Sequence, residues 1–148
     1  MDGTDGRKNA LPSTRELVEK YGLMAKKALG QNFLLDGNIT DKIMRLSLAA
    51  QGRKDLAGET VAEVGPGPGG LTQAVLRQNP EKLTAIEMDE RCLEILGEIK
   101  GAYPQLDIVN GDALKFDWTG KAATEGMFHI VSNLPYNVSV VLLAGWLE

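Results

Sequence analysis

Four short stretches of this 148-residue chain combine residue types and spacings that suit a nucleotide-like ligand. The first is Glu63-Val64-Gly65-Pro66-Gly67-Pro68-Gly69-Gly70. Its glycines admit positive φ and let a ligand approach the backbone closely. Gly65, Gly67 and Gly70 satisfy G-x-G-x-x-G, the pattern of a dinucleotide site. Glu63 with Gly65, Gly67 and Gly69 also satisfies E-x-G-x-G-x-G, the pattern of S-adenosylmethionine (SAM) sites. SAM has no pyrophosphate, and its methionine carboxylate would use amides near a helix N-terminus. The second stretch centres on Glu87, whose carboxylate can accept two hydrogen bonds from a ribose diol and suits either ligand. The third holds Asp112, which can accept from an adenine amino group or close an Asx turn in Asn110-Gly111-Asp112. The fourth is Asn133-Leu134-Pro135-Tyr136. It suits chemistry on the exocyclic amine of a planar base, a nitrogen whose lone pair is conjugated into the ring. The Asn133 side-chain oxygen and the Leu134 or Pro135 carbonyl can accept its two N–H bonds and favour a pyramidal nitrogen. Tyr136 can stack on the base, and Pro135 fixes the turn without a competing donor.

These residues need a scaffold that brings them together. Ser13-Thr14-Arg15-Glu16 is a capping box opening a helix with Leu17, Val18 and Tyr21 on one face and Gly22 as its stop. Residues 25–36 show no sustained period and read as a loop. A second helix is predicted from about Asn38 to Gln51, with Ile39, Ile43, Leu46 and Ala50 sharing its buried face and Gly52 ending it. Strands follow at Thr60–Val64, Leu83–Ile86, Leu106–Val109 and Met127–Val131. Helices are expected at Leu71–Gln78, after Asp89 with Cys92, Leu93, Leu96 and Ile99 on one side, and at Val138–Leu147. Asn79-Pro80 is a break. The alternation predicts an α/β fold, a parallel sheet covered by helices. In such sheets ligands sit at the carboxyl ends of the strands, and all four chemically suggestive stretches fall there.

Composition limits the alternatives. The chain is 43% hydrophobic and 24% charged, which suits a packed core. It has no apolar run of transmembrane length and no signal-peptide pattern between Met1 and Leu11, so a cytoplasmic location is expected. A single cysteine, Cys92, excludes an internal disulfide framework. A single histidine, His129, leaves little room for a Ser-His-Asp triad. His129 lies within a predicted strand and reads as a core or face residue. Cys92 has acidic neighbours that would raise its thiol pKa. No metal-ligand spacing is visible, and no metal is expected. The formal net charge is −4. It is unevenly spread: residues 1–60 carry ten basic and eight acidic side chains, and the remainder six and twelve. RNA contact must therefore rest on a local patch. Lys26 and Lys27 are candidates, with Arg7, Lys8, Arg15 and Lys20 upstream, and a solvated basic face is the competing reading.

Taken together, the stretches resemble the KsgA/RsmA family of small-subunit rRNA adenine dimethyltransferases. The resemblance rests on Lys27-Ala28-Leu29-Gly30-Gln31-Asn32-Phe33-Leu34, Asn38-Ile39, Glu63–Gly70 with Leu71-Thr72, Glu87-Met88-Asp89, Gly111-Asp112-Ala113 and Asn133–Asn137, in family order from about residue 26 to the end. It implies a class I SAM-dependent methyltransferase domain, Rossmann-like, followed in the family by a small helical domain. Residues 1–25 would then be an N-terminal tail and short helix, and 26–148 a partial methyltransferase domain with four of the seven strands. Asn32 and Leu34 would line the SAM pocket. Gly65 would contact the methionine portion, Glu87 the ribose, and Asp112 the adenine ring of the cofactor. Asn133 would lie between cofactor and target base, with Pro135 and Tyr136 completing the base site. The implied reaction is dimethylation of the N6 amines of two adjacent adenosines near the 3′ end of 16S rRNA. The implied partner is small-subunit rRNA or its precursor particle, with a monomeric full-length enzyme and no membrane.

Rival readings stay open at this point. One is a resistance-type enzyme methylating an adenine in large-subunit rRNA, and the mitochondrial relatives that double as transcription factors share the same motifs. An NAD-dependent oxidoreductase would explain the glycines and Glu87 but not Asn133–Tyr136. A non-catalytic RNA-binding module would keep RNA contacts without turnover. If the family sheet order 3-2-1-4-5-7-6 applies, a chain ending at Glu148 leaves the Met127–Val131 strand at an edge. Such a chain is expected to be marginally stable, prone to self-association and inactive even when it binds SAM.

Overall fold

The computed structural model describes residues 11–23, 35–125, 129–132 and 144–145. Helix α1, Thr14–Lys20, opens on the anticipated capping box. The Glu16 amide donates to Ser13 Oγ at 3.1 Å, and the Ser13 amide to Glu16 Oε1 at 2.9 Å. It closes on Gly22, where Leu23 N–H reaches back to the Val18 carbonyl at 3.0 Å. Glu98 then fastens the helix by accepting from Lys20 Nζ at 3.0 Å and the Tyr21 hydroxyl at 2.9 Å.

Helix α2, Gly37–Ala50, is capped by Asp36, which accepts from the Asn38 amide at 2.9 Å. Its buried face is not the expected one. Thr40, Met44 and Leu48 are buried, whereas Ile39 is 40% and Leu46 60% exposed, and Ala50 is exposed. Of the predicted stripe only Ile43 packs against the core. The buried stripe follows i, i+4 spacing. It was masked in the pattern because Thr40 counts as polar, although its hydroxyl is satisfied by the Gly37 carbonyl at 3.2 Å.

The sheet is built from β1 (Thr60–Val64), β2 (Lys82–Glu87), β3 (Leu106–Asn110), β4 (His129–Ser132) and β5 (Ala144–Gly145). Their order is β3-β2-β1-β4-β5. The first four strands run parallel. The chain starts at the centre, steps outward twice, then returns across β1 to lay down β4, so the order reverses between β1 and β4. Helix α3, Gly70–Arg77, joins β1 to β2, and α4, Leu93–Ala102, joins β2 to β3 after a 3₁₀ turn at Glu90–Cys92. Cys92, Leu96 and Ile99 of the expected face are buried. Ile95 joins them, while Leu93 stays half-exposed. The core gathers Leu17, Met44, Leu48, Val61, Leu71, Val75, Leu83, Ile95, Leu96, Ile99 and Leu106 between the helices and the sheet.

Two connections depart from expectation. Between β3 and β4 lies a further helix, α5, Trp118–Glu125, after a 3₁₀ turn at Ala113–Lys115. Its sequence, WTGKAATE, has no apolar stripe to announce it. Its inward residue is Lys121, 7% exposed, whose Nζ donates to Thr84 Oγ1 at 3.2 Å. The second departure is the predicted Val138–Leu147 helix. Ala144–Gly145 is instead strand β5, antiparallel to β4 with Gly145 opposite His129 and Ala144 opposite Ile130; the other residues of that prediction lie outside the described ones. A short apolar run does not by its period separate helix from strand. The pairing also corrects the expectation that the fourth strand forms an open edge. That strand covers His129–Ser132, and Met127 and Phe128 lie outside the described residues. No helix among the described residues is long and apolar enough to cross a membrane.

Candidate functional site

The carboxyl ends of β1, β2 and β3 lie side by side, with Val64 beside Ile86 and Glu87 beside Asn110 in register. Immediately past Val64 the chain enters the glycine loop, where Gly65, Gly67 and Gly69 have φ of +68°, +56° and +91°. The loop folds onto itself through Gly69 N–H to the Pro66 carbonyl at 3.0 Å, then leads into α3 with Gly69 as its N-cap. At Gly69 the conformation and the packing both demand glycine, because a Cβ there would lie 2.4 Å from Ile99 Cδ1 of α4. At Gly65 a Cβ would meet no protein atom within 4 Å, so only its left-handed backbone favours glycine. Gly65 is exposed.

Glu87 is the hub. Its side chain is 8% exposed. Oε1 accepts from the Gly67 amide at 2.7 Å, and Oε2 accepts from the Asp89 amide at 2.8 Å. Its carbonyl accepts from Gly111 N–H and from Asn110 Nδ2, each at 3.0 Å. One residue thus ties the glycine loop, the end of β2 and the turn after β3. A carboxylate offers about four lone-pair sites. The two amide donors leave acceptor capacity for a diol. Asp112 stands at the next strand end, half-buried, and its Oδ1 accepts from the Leu114 amide at 2.9 Å, so the anticipated Asx turn is present. Two apolar side chains follow these carboxylates, Met88 at 64% exposure and Leu114 at 93%. Apolar groups of this size beside hydrogen-bonding carboxylates suit the face of a planar ring. Neither was picked out from sequence. The signal available was a large apolar residue one position after Glu87 and two after Asp112.

A second carboxyl lies under the loop. Glu63, the penultimate residue of β1, is 1% exposed and accepts from Thr72 Oγ1 at 2.6 Å. Burial, opposed by that hydrogen bond and reinforced by Glu87, pushes its pKa up to about 8. Cys92 is also buried, and burial first, then Glu87 and Asp89, pushes its thiol up to about 11, which removes it from nucleophilic chemistry. His129 lies at the amino end of β4, where Nε2 is 2.9 Å from Glu59 Oε1, and Glu59 also pairs with Arg53. It belongs to the sheet end opposite the loop. No group of three potential metal ligands occurs among the described residues.

Of the residues singled out from sequence, the structure brings Gly65, Glu87 and Asp112 to one edge of the sheet. Asn32, Leu34, Asn133, Pro135 and Tyr136, with Lys26 and Lys27, lie outside the described residues.

Comparison with known proteins agrees with this architecture. Residues 22–148 match the family described as ribosomal RNA adenine dimethylase. The chain is 52% identical over 140 residues to ribosomal RNA small subunit methyltransferase A of Sinorhizobium medicae, covering 94% of this chain and 48% of that protein. It is 49% identical over 144 residues to the protein of the same name from Mesorhizobium japonicum, covering 94% and 50%. The chain therefore spans about half the length of the curated relatives it matches. Among solved structures, a dimethyladenosine transferase from Plasmodium falciparum superposes with a TM-score of 0.50 at 26% identity, over 69% of this chain and 33% of that one. The open parallel sheet with its glycine loop at the order reversal is the Rossmann-like core of a class I methyltransferase, and the chain belongs to the ribosomal RNA adenine dimethylase family.

Proposed function

We propose that this chain carries the cofactor-binding part of a SAM-dependent enzyme that dimethylates the N6 amines of two adjacent adenosines near the 3′ end of small-subunit rRNA. The observation that carries the reading is the roughly 50% identity, over nearly the whole chain, to proteins named ribosomal RNA small subunit methyltransferase A. The family assignment removes the oxidoreductase reading, and those names favour the small-subunit over the large-subunit substrate.

The residues at the sheet edge fit SAM. Glu87 has acceptor capacity left for the ribose diol, Asp112, just past the next strand end, is the acceptor for the adenine amino group in this reading, and Gly65 supplies bare backbone for the methionine portion. Met88 and Leu114 offer apolar contact to the adenine ring. Asn32 and Leu34 complete the pocket from the N-terminal side. When bound, SAM supplies a sulfonium-activated methyl group. Asn133 and the Leu134 or Pro135 carbonyl accept the N–H bonds of the target amine, which holds its lone pair out of conjugation and stabilises the positive charge that grows there. Tyr136 stacks on the base and sets its plane, so positioning supplies much of the remaining acceleration. Lys26 and Lys27 contribute phosphate contacts. Residues 26–148 are the methyltransferase part of the protein, and residues 1–25 precede it.

Isothermal titration with SAM and NAD tests the cofactor, and transfer of labelled methyl from SAM to small-subunit rRNA by the full-length protein tests the reaction. SAM binding in the micromolar range, roughly −7 to −8 kcal/mol, is expected. NAD binding with SAM ignored, or methylation of large-subunit rRNA alone, would overturn the reading.

A further inference from the structure

Glu63 has no part in the chemistry above, yet it is a carboxyl buried at the base of the loop. It sits two residues before Gly65, and its hydroxyl donor Thr72 is wholly buried in the first turn of α3. The Glu63–Thr72 bond thus closes a ring that contains the entire glycine loop. It links the end of β1 to the start of α3 across Gly65–Leu71, independently of Glu87, which holds the loop from the other side through Gly67.

We propose that Glu63 is a positioning residue for the cofactor loop, acting through Thr72 and not by touching the cofactor. The inference rests on the reading of this loop as the SAM site. A side chain that merely filled space here would be apolar, since burying a carboxyl is costly unless it is hydrogen-bonded. A short bond to a buried hydroxyl is what a strut requires.

The surroundings of Glu63 make the strut sensitive to pH. On β2 its register neighbour is Ala85, on β4 it is Val131, and α3 offers the Thr72 hydroxyl. The charge that acts on it is the Glu87 carboxylate at the end of β2. No cation acts on it among the described residues, so the group is held neutral in neutral solution and ionises near pH 8. Ionisation places an uncompensated charge under the loop, beside Glu87. The closed loop then becomes harder to maintain, and the loop-bound cofactor loses affinity as pH rises.

Two readouts test this. In the cofactor-free chain, the Ile99 δ1-methyl reports loop position by NMR because it packs where a Gly69 side chain would lie. Its resonance is expected to titrate near pH 8 in the wild type and to stay flat in Glu63→Gln, which keeps an oxygen acceptor for Thr72 but cannot ionise. Thr72→Val should displace the signal at every pH, and Thr72→Ser should restore it. By calorimetry, wild-type SAM affinity should fall above pH 8 by at most about tenfold per pH unit, and Glu63→Gln should abolish that fall. Thr72→Val should weaken SAM binding roughly tenfold and raise the KM for SAM more than it lowers kcat in the full-length enzyme. A wild-type methyl resonance that is flat through pH 9, or one that titrates equally in Glu63→Gln, would overturn the strut. Failure of the wild type to bind SAM at any pH would overturn the cofactor reading instead, and the methyl titration would still decide the role of Glu63.

Discussion

Glu87 concentrates more of the site than any other described residue, since its side chain restrains the loop that should receive the cofactor as well as offering acceptors to it. Glu87→Ala is therefore expected to cost more than the roughly 1.5–3 kcal/mol of one charge-assisted hydrogen bond, because Gly67 and Asp89 lose their acceptor at the same time. Calorimetric SAM affinities for Glu87→Ala and Glu87→Gln would measure the two parts, since the amide keeps one acceptor oxygen. Asn133→Ala in the full-length enzyme should behave oppositely, reducing single-turnover methyl transfer far more than SAM affinity. Tyr136→Ala should weaken docking of the target base by roughly 1–3 kcal/mol, read from RNA binding at saturating SAM. The carboxylates at the strand ends were legible in the sequence because Glu87 directly ends a short apolar run and Asp112 follows the next one after the Asn110-Gly111 turn. Glu63 was legible only as one letter of a pattern. Its partner Thr72 became visible once α3 was folded back onto β1.

At the scale of elements, α2 offers a direct check on packing. Met44 and Leu46 are both large and apolar, but one is fully buried and the other 60% exposed. Met44→Ala should cost about 2–5 kcal/mol of unfolding free energy, and Leu46→Ala should stay within about 0.5 kcal/mol, measured by urea denaturation. The apolar pattern alone predicts the reverse. The strands and helices α1, α3 and α4 were readable because local signals and tertiary packing agree there: Ser13 caps α1, Asp89 caps the 3₁₀ turn that leads into α4, and Val61, Leu83 and Leu106 are buried. Helix α5 was not readable because its inward group is a lysine held by a threonine, which no hydrophobic count registers. Strand β5 was not readable because Ala144-Gly145 carries no β signal of its own and is defined by its partner across the sheet.

For the molecule as a whole, the pH dependence of stability follows from Glu63. Its pKa rises from 4.5 to about 8 on folding, so between those values the folded chain holds a proton that the unfolded chain has released. The contribution of this group is full below about pH 4.5, declines as pH rises toward 8, and is lost above it. Glu98, lowered by hydrogen bonds from Lys20 and Tyr21, and Asp89, lowered by Arg91, are half-exposed and act in the opposite sense. Chemical denaturation from pH 5 to 8 should therefore show Glu63→Gln gaining on the wild type as pH rises, and equal slopes for the two would refute the assignment. The charge distribution gives a further expectation. If Lys26 and Lys27 reach phosphates in a chain of net charge −4, neutralising both should flatten the salt dependence of RNA binding by about 0.7–0.9 log unit per lost contact.

The hydrogen bonds that converge on Glu87 carry a consequence for motion. Its two carboxylate oxygens hold the Gly67 and Asp89 amides while its carbonyl holds the Gly111 amide, so three strand-end loops share one anchor. Loops anchored separately would open separately, each with its own free energy. Loops that share a buried anchor open together, as one cooperative unit. Hydrogen exchange at Gly67, Asp89 and Gly111 should therefore proceed with a common opening free energy, and a loss of the Glu87 side chain should split it, releasing Gly67 and Asp89 while Gly111, bonded to the main chain, stays protected. The mouth of the site would then behave as a single hinged rim, open or closed around all of its loops at once.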